Sequence, residues 1–247
     1  MVKKILIFSL VLASSAMASI EDYSINKKLN LNPSVFIENS KIDEFKKFTY
    51  SPQISNSKDS VYKLYEELNL KNRLDFKAFS NAISGMKKLK DVKEDIITII
   101  DFTKSSIKER FFVIDLKNKR TLFSTYVMHG KNSGGAIPRE FSNAVNSYKS
   151  SPGFYKTENT YSGEFGYSLR IDGLEKGIND NAKERAIVVH GSDYAKPKPG
   201  AQKLDRSLGC PAIPKEISDK VINRIKDGRL LYIYTDEKSY RQKSSIV

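Results

Sequence analysis

A change of hydrophobic pattern near residue 95 is the feature that most restricts the fold of this chain. Before it, apolar residues recur at helical spacing in 60–70 and in 75–89, with Asp75 placed to cap the second helix. After it, short β-rich apolar runs alternate with Gly and Ser. The pattern therefore predicts an α+β protein, in which a helical hairpin packs against a mainly β domain.

The expected strands share a high content of branched and aromatic residues and cover 96–100, 111–115, 122–127, 167–171, 186–189 and 230–234. The second and third flank Lys117-Asn118-Lys119, which predicts a hairpin. A single helix is expected over 214–226, because Pro214 lies near its first turn and Gly228 follows its end.

The N-terminus has the pattern of a secretory signal peptide. A basic start (1–4) precedes a short apolar run (5–13), and Ala16-Met17-Ala18 supplies the small residues of a cleavage site. The apolar run is too short to span a bilayer, and no later segment approaches that length. We therefore predict a signal peptide (1–18), a polar lead-in and helical hairpin (19–94) and a β domain (95–240), in a soluble periplasmic or extracellular protein.

The chain is strongly basic, with 42 Lys and Arg against 29 Asp and Glu. Cleavage after Ala18 removes two Lys and no acid, so the net charge falls from +13 to +11. Such a charge usually suggests nucleic acid. Export and the lack of basic runs interleaved with aromatics argue against that partner, and an anionic polymer of the cell envelope fits better.

The single cysteine, Cys210, excludes an intrachain disulfide framework and a cysteine-rich zinc site. A metal held by His129, His190 and Cys210 is an alternative by ligand type, but these residues lack the usual close spacing. We expect no metal and no cofactor.

The chemistry concentrates in two short stretches. An apolar strand (186–189) ends at His190-Gly191, and Cys210 follows Gly209 in a polar loop. Polar neighbours fit a loop better than an inert buried thiol. A nucleophile must be a thiolate, and His190 could provide a charge and then a proton for a leaving group. The N–H groups of Gly209 and Cys210 could face a developing oxyanion.

These two stretches resemble the motifs of a known enzyme family. Further matching segments occur in the same order along the chain: 127–134 (VMHGKNSG), 141–143 (FSN), 151–155 (SPGFY), 166–169 (GYSL) and 179–182 (NDNA). His190-Gly191 and Ser207-x-Gly209-Cys210 resemble the catalytic signature of the YkuD-like L,D-transpeptidases. More closely, the chain from about residue 61 to 234 resembles the murein L,D-transpeptidase catalytic domain family, which implies a mainly β catalytic domain.

The resemblance implies a role for each matching residue. Cys210 corresponds to the nucleophile and His190 to the general base and acid, with the ring oriented by the backbone carbonyl of Gly191. Ser207 and Gly209 correspond to positions that shape the nucleophile loop. The amides of Gly209 and Cys210 would line the oxyanion hole.

Three further residues are candidates for substrate contact. Ser151 lies in a turn that resembles the family's turn on the way to the cleft. His129 matches a family position and either faces the cleft or is a hydrogen-bonded structural histidine. The family motif continues after the cysteine with an aliphatic residue and then Arg, whereas Pro211 and Ala212 follow here. Arg206 is the positional candidate to replace that Arg.

The implied reaction is cleavage of the L-D amide of a peptidoglycan tetrapeptide stem and transfer of the acyl group to an amine, which gives a 3-3 cross-link. Two alternatives stay open: an L,D-carboxypeptidase that transfers to water, and a non-catalytic wall-binding module. A sortase-like enzyme fits less well, because the loop from His190 to Cys210 looks too short. Papain-like and NlpC/P60-like peptidases place Cys before His, the opposite order.

Overall fold

The computed structural model describes residues 58–247, which belong to one compact unit. The predicted signal peptide (1–18) and polar lead-in (19–57) lie outside these residues. Within 58–247, none of the helices has both the length and the apolar character needed to cross a membrane.

The N-terminal helical hairpin consists of α1 (Lys58–Glu67) and α2 (Phe76–Lys88). The predicted cap is confirmed, because the Asp75 carboxylate accepts hydrogen bonds from the amides of Lys77 (2.7 Å) and Ala78 (3.2 Å). The apolar stripes of both helices are buried against the sheet. The hairpin is therefore part of the same hydrophobic core as the strands that follow.

Eight strands form a single mixed sheet in the order β3-β2-β1-β8-β4-β5-β6-β7. They are β1 (Lys93–Asp101), β2 (Phe111–Asp115), β3 (Arg120–Thr125), β4 (Gly153–Gly163), β5 (Gly166–Gly173), β6 (Val188–Ser192), β7 (Ala212–Pro214) and β8 (Arg229–Tyr234). The pairs β1/β8 and β6/β7 are parallel, and the other pairs are antiparallel. The predicted α+β class is confirmed.

Both faces of the sheet are covered, and the period of two along each strand divides its residues between them. In β1, Ile97 and Ile99 face α1 and α2, whereas Ile96 and Ile100 belong to the opposite cluster with α3 (Lys215–Ile225). A short C-terminal helix, α4 (Lys238–Lys243), also packs on the first face through Tyr240.

Three elements were not expected from the sequence: β4, β7 and α4. The strand β4 follows Ser151 and Pro152, residue types that are typical of turns. Its outer half is polar and largely exposed, so its composition does not resemble that of a buried strand. The strand β6 begins at Val188 rather than at Ala186, because Ala186 has φ +52°, outside the strand region.

The parallel pair β6/β7 positions the chemistry. Its register places His190 opposite Ala212, so Cys210 lies two residues before the partner of His190. The connection between the strands (193–211) starts directly after the histidine strand and returns to its side with the cysteine.

Candidate active site

A cleft of about 600 Å³ opens where β6 and the cysteine loop meet. It is lined by five of the residues singled out in the sequence: His190, Gly191, Arg206, Ser207 and Cys210.

The imidazole of His190 is held in one orientation and one tautomer. Its Nδ1 lies 2.9 Å from the backbone oxygen of Gly191. Because a carbonyl can only accept, Nδ1 must carry the proton, which leaves the lone pair of Nε2 free to accept another. The resemblance implies this carbonyl as the orienting group. A Cβ on Gly191 would lie 2.6 Å from Ser218 Oγ, so glycine is needed for contact with α3.

The loop that carries Cys210 is stabilised by the hydroxyl of one of its own residues, Ser207. Ser207 Oγ donates to the backbone oxygen of Cys210 (2.6 Å) and accepts from the amide of Gly209 (3.1 Å). Gly209 has φ +130°, and a Cβ there would meet Ile187 and the Lys149 carbonyl at 2.9 and 3.1 Å. Glycine is therefore required by both backbone conformation and space.

The bond to Ser207 bears on the predicted oxyanion hole. The Gly209 N–H is already donated to a hydroxyl, so it is not free for a substrate oxygen in this arrangement. The backbone amides of Cys210 and Val188 instead lie beside the sulfur and favour its ionised form. Of the two predicted donors, only the Cys210 amide is thus directed toward the reacting atom.

Burial determines the protonation states of Cys210 and His190 in the free protein. It raises the pKa of the Cys210 thiol, against the opposing effects of the Val188 amide and the Arg185 charge. Burial also lowers the pKa of His190, opposed by the bond to Gly191. Both shifts favour uncharged forms, so near neutral pH a thiol and a neutral imidazole face the same cleft.

An aromatic ring covers the histidine. Phe165, at the tip of the β4–β5 hairpin, stacks on His190 with ring centroids 4.4 Å apart and an interplanar angle of 24°. Together with Leu208 and Tyr194, it forms an exposed apolar rim, each side chain being 50–58 % exposed. Sequence reasoning missed Phe165, because an aromatic residue in a short turn between Glu164 and Gly166 carries no signal for a contact with a distant histidine.

Arg206 and Ala212 bear on the position at which the resemblance expects an arginine. Ala212 is fully buried in β7. Arg206 is exposed on the rim of the cleft, where Nη1 donates to the carbonyls of Gly134 (2.8 Å) and Lys131 (3.3 Å). The arginine whose charge acts on Cys210 is Arg185, which the sequence analysis did not select.

Ser151 lies one layer behind the cleft and is not among the residues that line it. Its hydroxyl donates to the carbonyl of Ser142 (2.8 Å) and accepts from Arg185, which does line the cleft. The structure thus connects Ser151 to the site through Arg185. Direct contact of Ser151 with substrate stays a prediction.

His129 is 1 % exposed and does not line the cleft. Its Nδ1 lies 2.8 Å from Nη2 of the fully buried Arg110, which also donates to the carbonyl of Val127. Burial and the Arg110 charge lower the pKa of His129 to about 3. This is the geometry of the hydrogen-bonded structural alternative, although the backbone oxygen of His129 also accepts from the Ser207 amide (2.9 Å).

A metal site is not formed by the candidates named above. Among residues 58–247, no three His, Cys, Asp or Glu side chains are grouped so that they could hold a metal ion.

Comparison with known proteins agrees with the resemblance. The family model of the L,D-transpeptidase catalytic domain matches residues 70–234. No curated protein matches the chain at a significant level.

Several solved structures are similar. An L,D-transpeptidase from Mycobacterium smegmatis is 10 % identical (TM-score 0.37, covering 57 % of this chain and 59 % of that chain). The helical cell shape determining protein Pgp2 from Campylobacter jejuni is 16 % identical (TM-score 0.40, covering 62 % and 54 %). An L,D-transpeptidase from Stackebrandtia nassauensis is 14 % identical (TM-score 0.34, covering 72 % and 78 %). The chain spans less than two thirds of the length of the first two.

The family match covers more than half of the 247 residues and includes both His190 and Cys210. The resemblance seen in the sequence is therefore confirmed, and the chain belongs to the L,D-transpeptidase catalytic domain family.

Proposed function

We propose that this protein is an exported peptidoglycan L,D-transpeptidase with Cys210 as its nucleophile. It cleaves the L-D amide of a tetrapeptide stem and transfers the acyl group to an amine of a second stem, which forms a 3-3 cross-link. Membership of the L,D-transpeptidase family supports the reaction class.

The observation that carries the proposal is the state of His190 in the cleft that it shares with Cys210. The Gly191 carbonyl fixes the proton on Nδ1, so Nε2 is available as a base. The orienting group is a carbonyl rather than a carboxylate, so it holds the ring without adding negative charge beside the thiol. Nucleophile, base and orienting group are then all present.

The first half-reaction begins with a neutral pair. As the sulfur attacks the carbonyl carbon of the scissile amide, the thiol proton passes to His190 Nε2 and a C–S bond forms. The negative charge that develops on the carbonyl oxygen is stabilised by the Cys210 N–H. When the C–N bond breaks, the imidazolium returns its proton to the leaving amine, which departs as the terminal D-amino acid.

The second half-reaction uses the same groups in reverse. His190 takes a proton from the acceptor amine as it attacks the thioester carbonyl, and then protonates the departing Cys210 sulfur. Water in place of the amine gives a tripeptide and an L,D-carboxypeptidase. The exposed apolar rim of Phe165, Tyr194 and Leu208 borders the cleft in which either acceptor would attack.

Export is part of the proposal and is supported by the sequence of residues 1–18. It places the enzyme in the periplasm or outside the cell, with the peptidoglycan that it acts on. Sequencing the N-terminus of the protein recovered from the cell envelope tests this point. A start at Ser19 supports cleavage after Ala18, whereas recovery with residues 1–18 intact contradicts it.

Mass spectrometry of purified protein incubated with tetrapeptide muropeptides tests the reaction. We expect a dimer whose mass is the sum of two substrates less one D-alanine, and none of it with Cys210→Ala. Tripeptide without dimer would identify the carboxypeptidase instead. A wild-type protein that binds peptidoglycan without turnover, unchanged by Cys210→Ala, would identify the wall-binding module. Dimer formation by Cys210→Ala would overturn the assignment of the nucleophile.

A further inference from the structure

We propose that Arg185 supplies the fixed positive charge that favours the Cys210 thiolate, and that it does so from the turn before β6 rather than from the cysteine loop. The inference rests on the proposed role of Cys210 as nucleophile. Arg185 would be a positioning and electrostatic residue, because no contact with substrate is needed for this effect.

Arg185 is close to the nucleophile in space, although 25 positions separate them in the chain. Both side chains line the same cleft. A methyl group added at Gly209 would lie 3.2 Å from Arg185 Nη2, so the guanidinium is packed against the residue that precedes Cys210. In addition, the Cys210 sulfur lies 3.7 Å from the carbonyl of Ala186, the residue after Arg185.

In the part of the chain that the structure describes, the hydrogen-bond partners of the Arg185 guanidinium are all neutral groups. Nη1 donates to the Ser142 carbonyl (2.9 Å) and to the Ser151 hydroxyl. Nη2 donates to the Ser147 hydroxyl (3.3 Å) and to the Lys149 carbonyl. These four acceptors come from one loop (142–151), which fixes the position of the charge without neutralising it.

Within residues 58–247, no carboxylate neutralises the charge of Arg185. No ion pair between residues 58 and 247 includes Arg185. By contrast, Arg229 is paired with Asp95 at 2.7 Å. An unpaired cation that is partly removed from water needs a compensating interaction, and an anionic sulfur provides one in the active form of the site.

The effect on the thiol follows from two opposing influences. Burial raises the pKa of Cys210, which would leave little thiolate at neutral pH, and the Arg185 charge lowers it. A guanidinium keeps its charge throughout the working pH range, so its influence is constant while His190 gains and loses a proton. Arg185 therefore stabilises the thiolate at the moment when its proton moves to His190 Nε2.

The other titratable groups that face the cleft are Glu164 on the β4–β5 hairpin, His190 on β6, and Tyr194 and Arg206 on the connection between β6 and β7. Tyr155, which packs near Arg185, is fully buried, and burial raises its pKa far above the working range, so it stays neutral. Among these groups, the charge that acts on the Cys210 sulfur is that of Arg185.

Alkylation of Cys210 by iodoacetamide, followed by mass spectrometry across a range of pH, tests the inference. Cys210 is the only thiol of the chain, and the reagent is uncharged, so the pH midpoint of the rate reports the thiolate fraction. Arg185→Gln retains hydrogen-bond donors but removes the charge. We expect its midpoint to rise by about one pH unit, and the rate near neutral pH to fall about tenfold.

Two further variants complete the design. Arg170→Gln removes one guanidinium that stacks on Tyr161 at the surface (4.1 Å to the ring centroid), and should leave the midpoint unchanged. Arg185→Lys keeps the charge and should have a midpoint nearer to wild type than to Arg185→Gln. If Arg185→Gln does not fold, a wild-type-like midpoint for Arg185→Lys supports the inference, and a midpoint raised by a full unit overturns it.

If folded Arg185→Gln has an unchanged midpoint and only a lower melting temperature, Arg185 has a purely structural role. That result would overturn the inference. The test is independent of turnover, because alkylation requires the thiol alone. A shifted midpoint in a protein without transpeptidase activity would refute the proposed function but retain the charge effect. Normal turnover of the wild-type protein together with an unchanged midpoint in Arg185→Gln would retain the proposed function and refute the charge effect.

Discussion

The two His-Gly pairs of this chain, His129-Gly130 and His190-Gly191, look equivalent in the sequence but have opposite chemistry. Both histidines are buried, at 1 % and 6 % exposure, and burial lowers the pKa of both. His129 Nδ1 faces the guanidinium of Arg110, whereas His190 Nδ1 faces the carbonyl of Gly191. The partner of one ring nitrogen therefore distinguishes the two sites.

The difference fixes the tautomer of each ring. Arg110 can only donate, so His129 Nδ1 must accept and Nε2 must carry the proton. That Nε2 is buried and has no partner within hydrogen-bond geometry among the described residues, although the backbone of Gly134 and Gly135 lies near the ring. The Gly191 carbonyl can only accept, so His190 has the reverse tautomer and a free lone pair on Nε2. Only His190 is prepared to take a proton from a thiol.

The largest expected contrast is in turnover. His190→Gln removes the proposed base and should lower the rate of tripeptide or dimer formation by about 10²–10⁴-fold. His129→Gln should retain most of its activity at temperatures where it is folded, because a glutamine oxygen can still accept from Arg110. Rates of product formation measured by mass spectrometry check both variants. Equal losses in the two would remove the distinction between the histidines.

The next largest contrast should be in the free energy of unfolding, when Gly130 or Gly191 is replaced. A Cβ on Gly130 would lie 2.5–2.8 Å from backbone atoms of 148–150, whereas one on Gly191 would meet first the hydroxyl of Ser218 at 2.6 Å. We expect Gly130→Ala to cost about 3 kcal/mol of unfolding free energy and Gly191→Ala about 1 kcal/mol, because a side chain yields more easily than backbone. Urea unfolding measures both.

A second substitution sharpens this contrast. Ser218→Ala should recover part of the loss in Gly191→Ala, since it removes the closest atom. The backbone that opposes a side chain at Gly130 offers no such rescue. Failure of Ser218→Ala to help would mean that the helix backbone at Lys215, 3.2 Å from the added Cβ, dominates.

The acid stability of the protein should depend on His129. Its pKa is about 3 in the folded chain against an ordinary value of 6.5, so between these values the unfolded chain binds the additional proton. The destabilising effect of protonating His129 is therefore absent above about pH 6.5 and grows as the pH drops toward 3. His129→Gln should reduce this slope by up to about 1.4 kcal/mol per pH unit, measured by urea unfolding at several pH values.

The smallest expected effect concerns the ring that covers His190. Phe165→Ala should let water reach the imidazole, so the lowered pKa of His190 should return toward 6.5. In the proposed mechanism neutral His190 is the base, so the acid limb of the pH–rate profile should move to higher pH by less than about one unit. Phe165→Leu, which keeps the apolar cover, should move it less. A profile unaffected by either would show that the stacking does not desolvate the ring.

Local sequence was sufficient for the elements whose pattern matches their burial. The runs 96–100, 111–115 and 230–234 became central strands, because their apolar residues alternate between two buried faces. The capped helix after Asp75 and the helix after Pro214 were also predicted. The strand β4 was not, because its polar outer half is exposed and leaves no periodic signal.

The residues of the candidate site also form two groups, those that the sequence identified and those that only the structure revealed. His190, Ser207, Gly209 and Cys210 could be selected from a motif, since a short loop and one strand hold them near each other. Arg185 and Phe165 could not, because their relation to the motif depends on how the 142–151 loop and the β4–β5 hairpin fold over it. Charge and aromaticity identify neither residue in advance.

The sequence by itself determined the α+β class, the order of histidine and cysteine, and the family that the chain resembles, because these depend on local periodicity and spacing. The tertiary structure alone decided which histidine has a free lone pair on Nε2, which amides lie beside the sulfur and which guanidinium lines the same cleft as the thiol. Each of those depends on which groups the fold brings within hydrogen-bond distance. The bonds of His190 to Gly191 and of Gly209 to Ser207 are local, whereas Arg110 beside His129 and the 142–151 loop around Arg185 come from segments distant in the chain, which only the fold brings together.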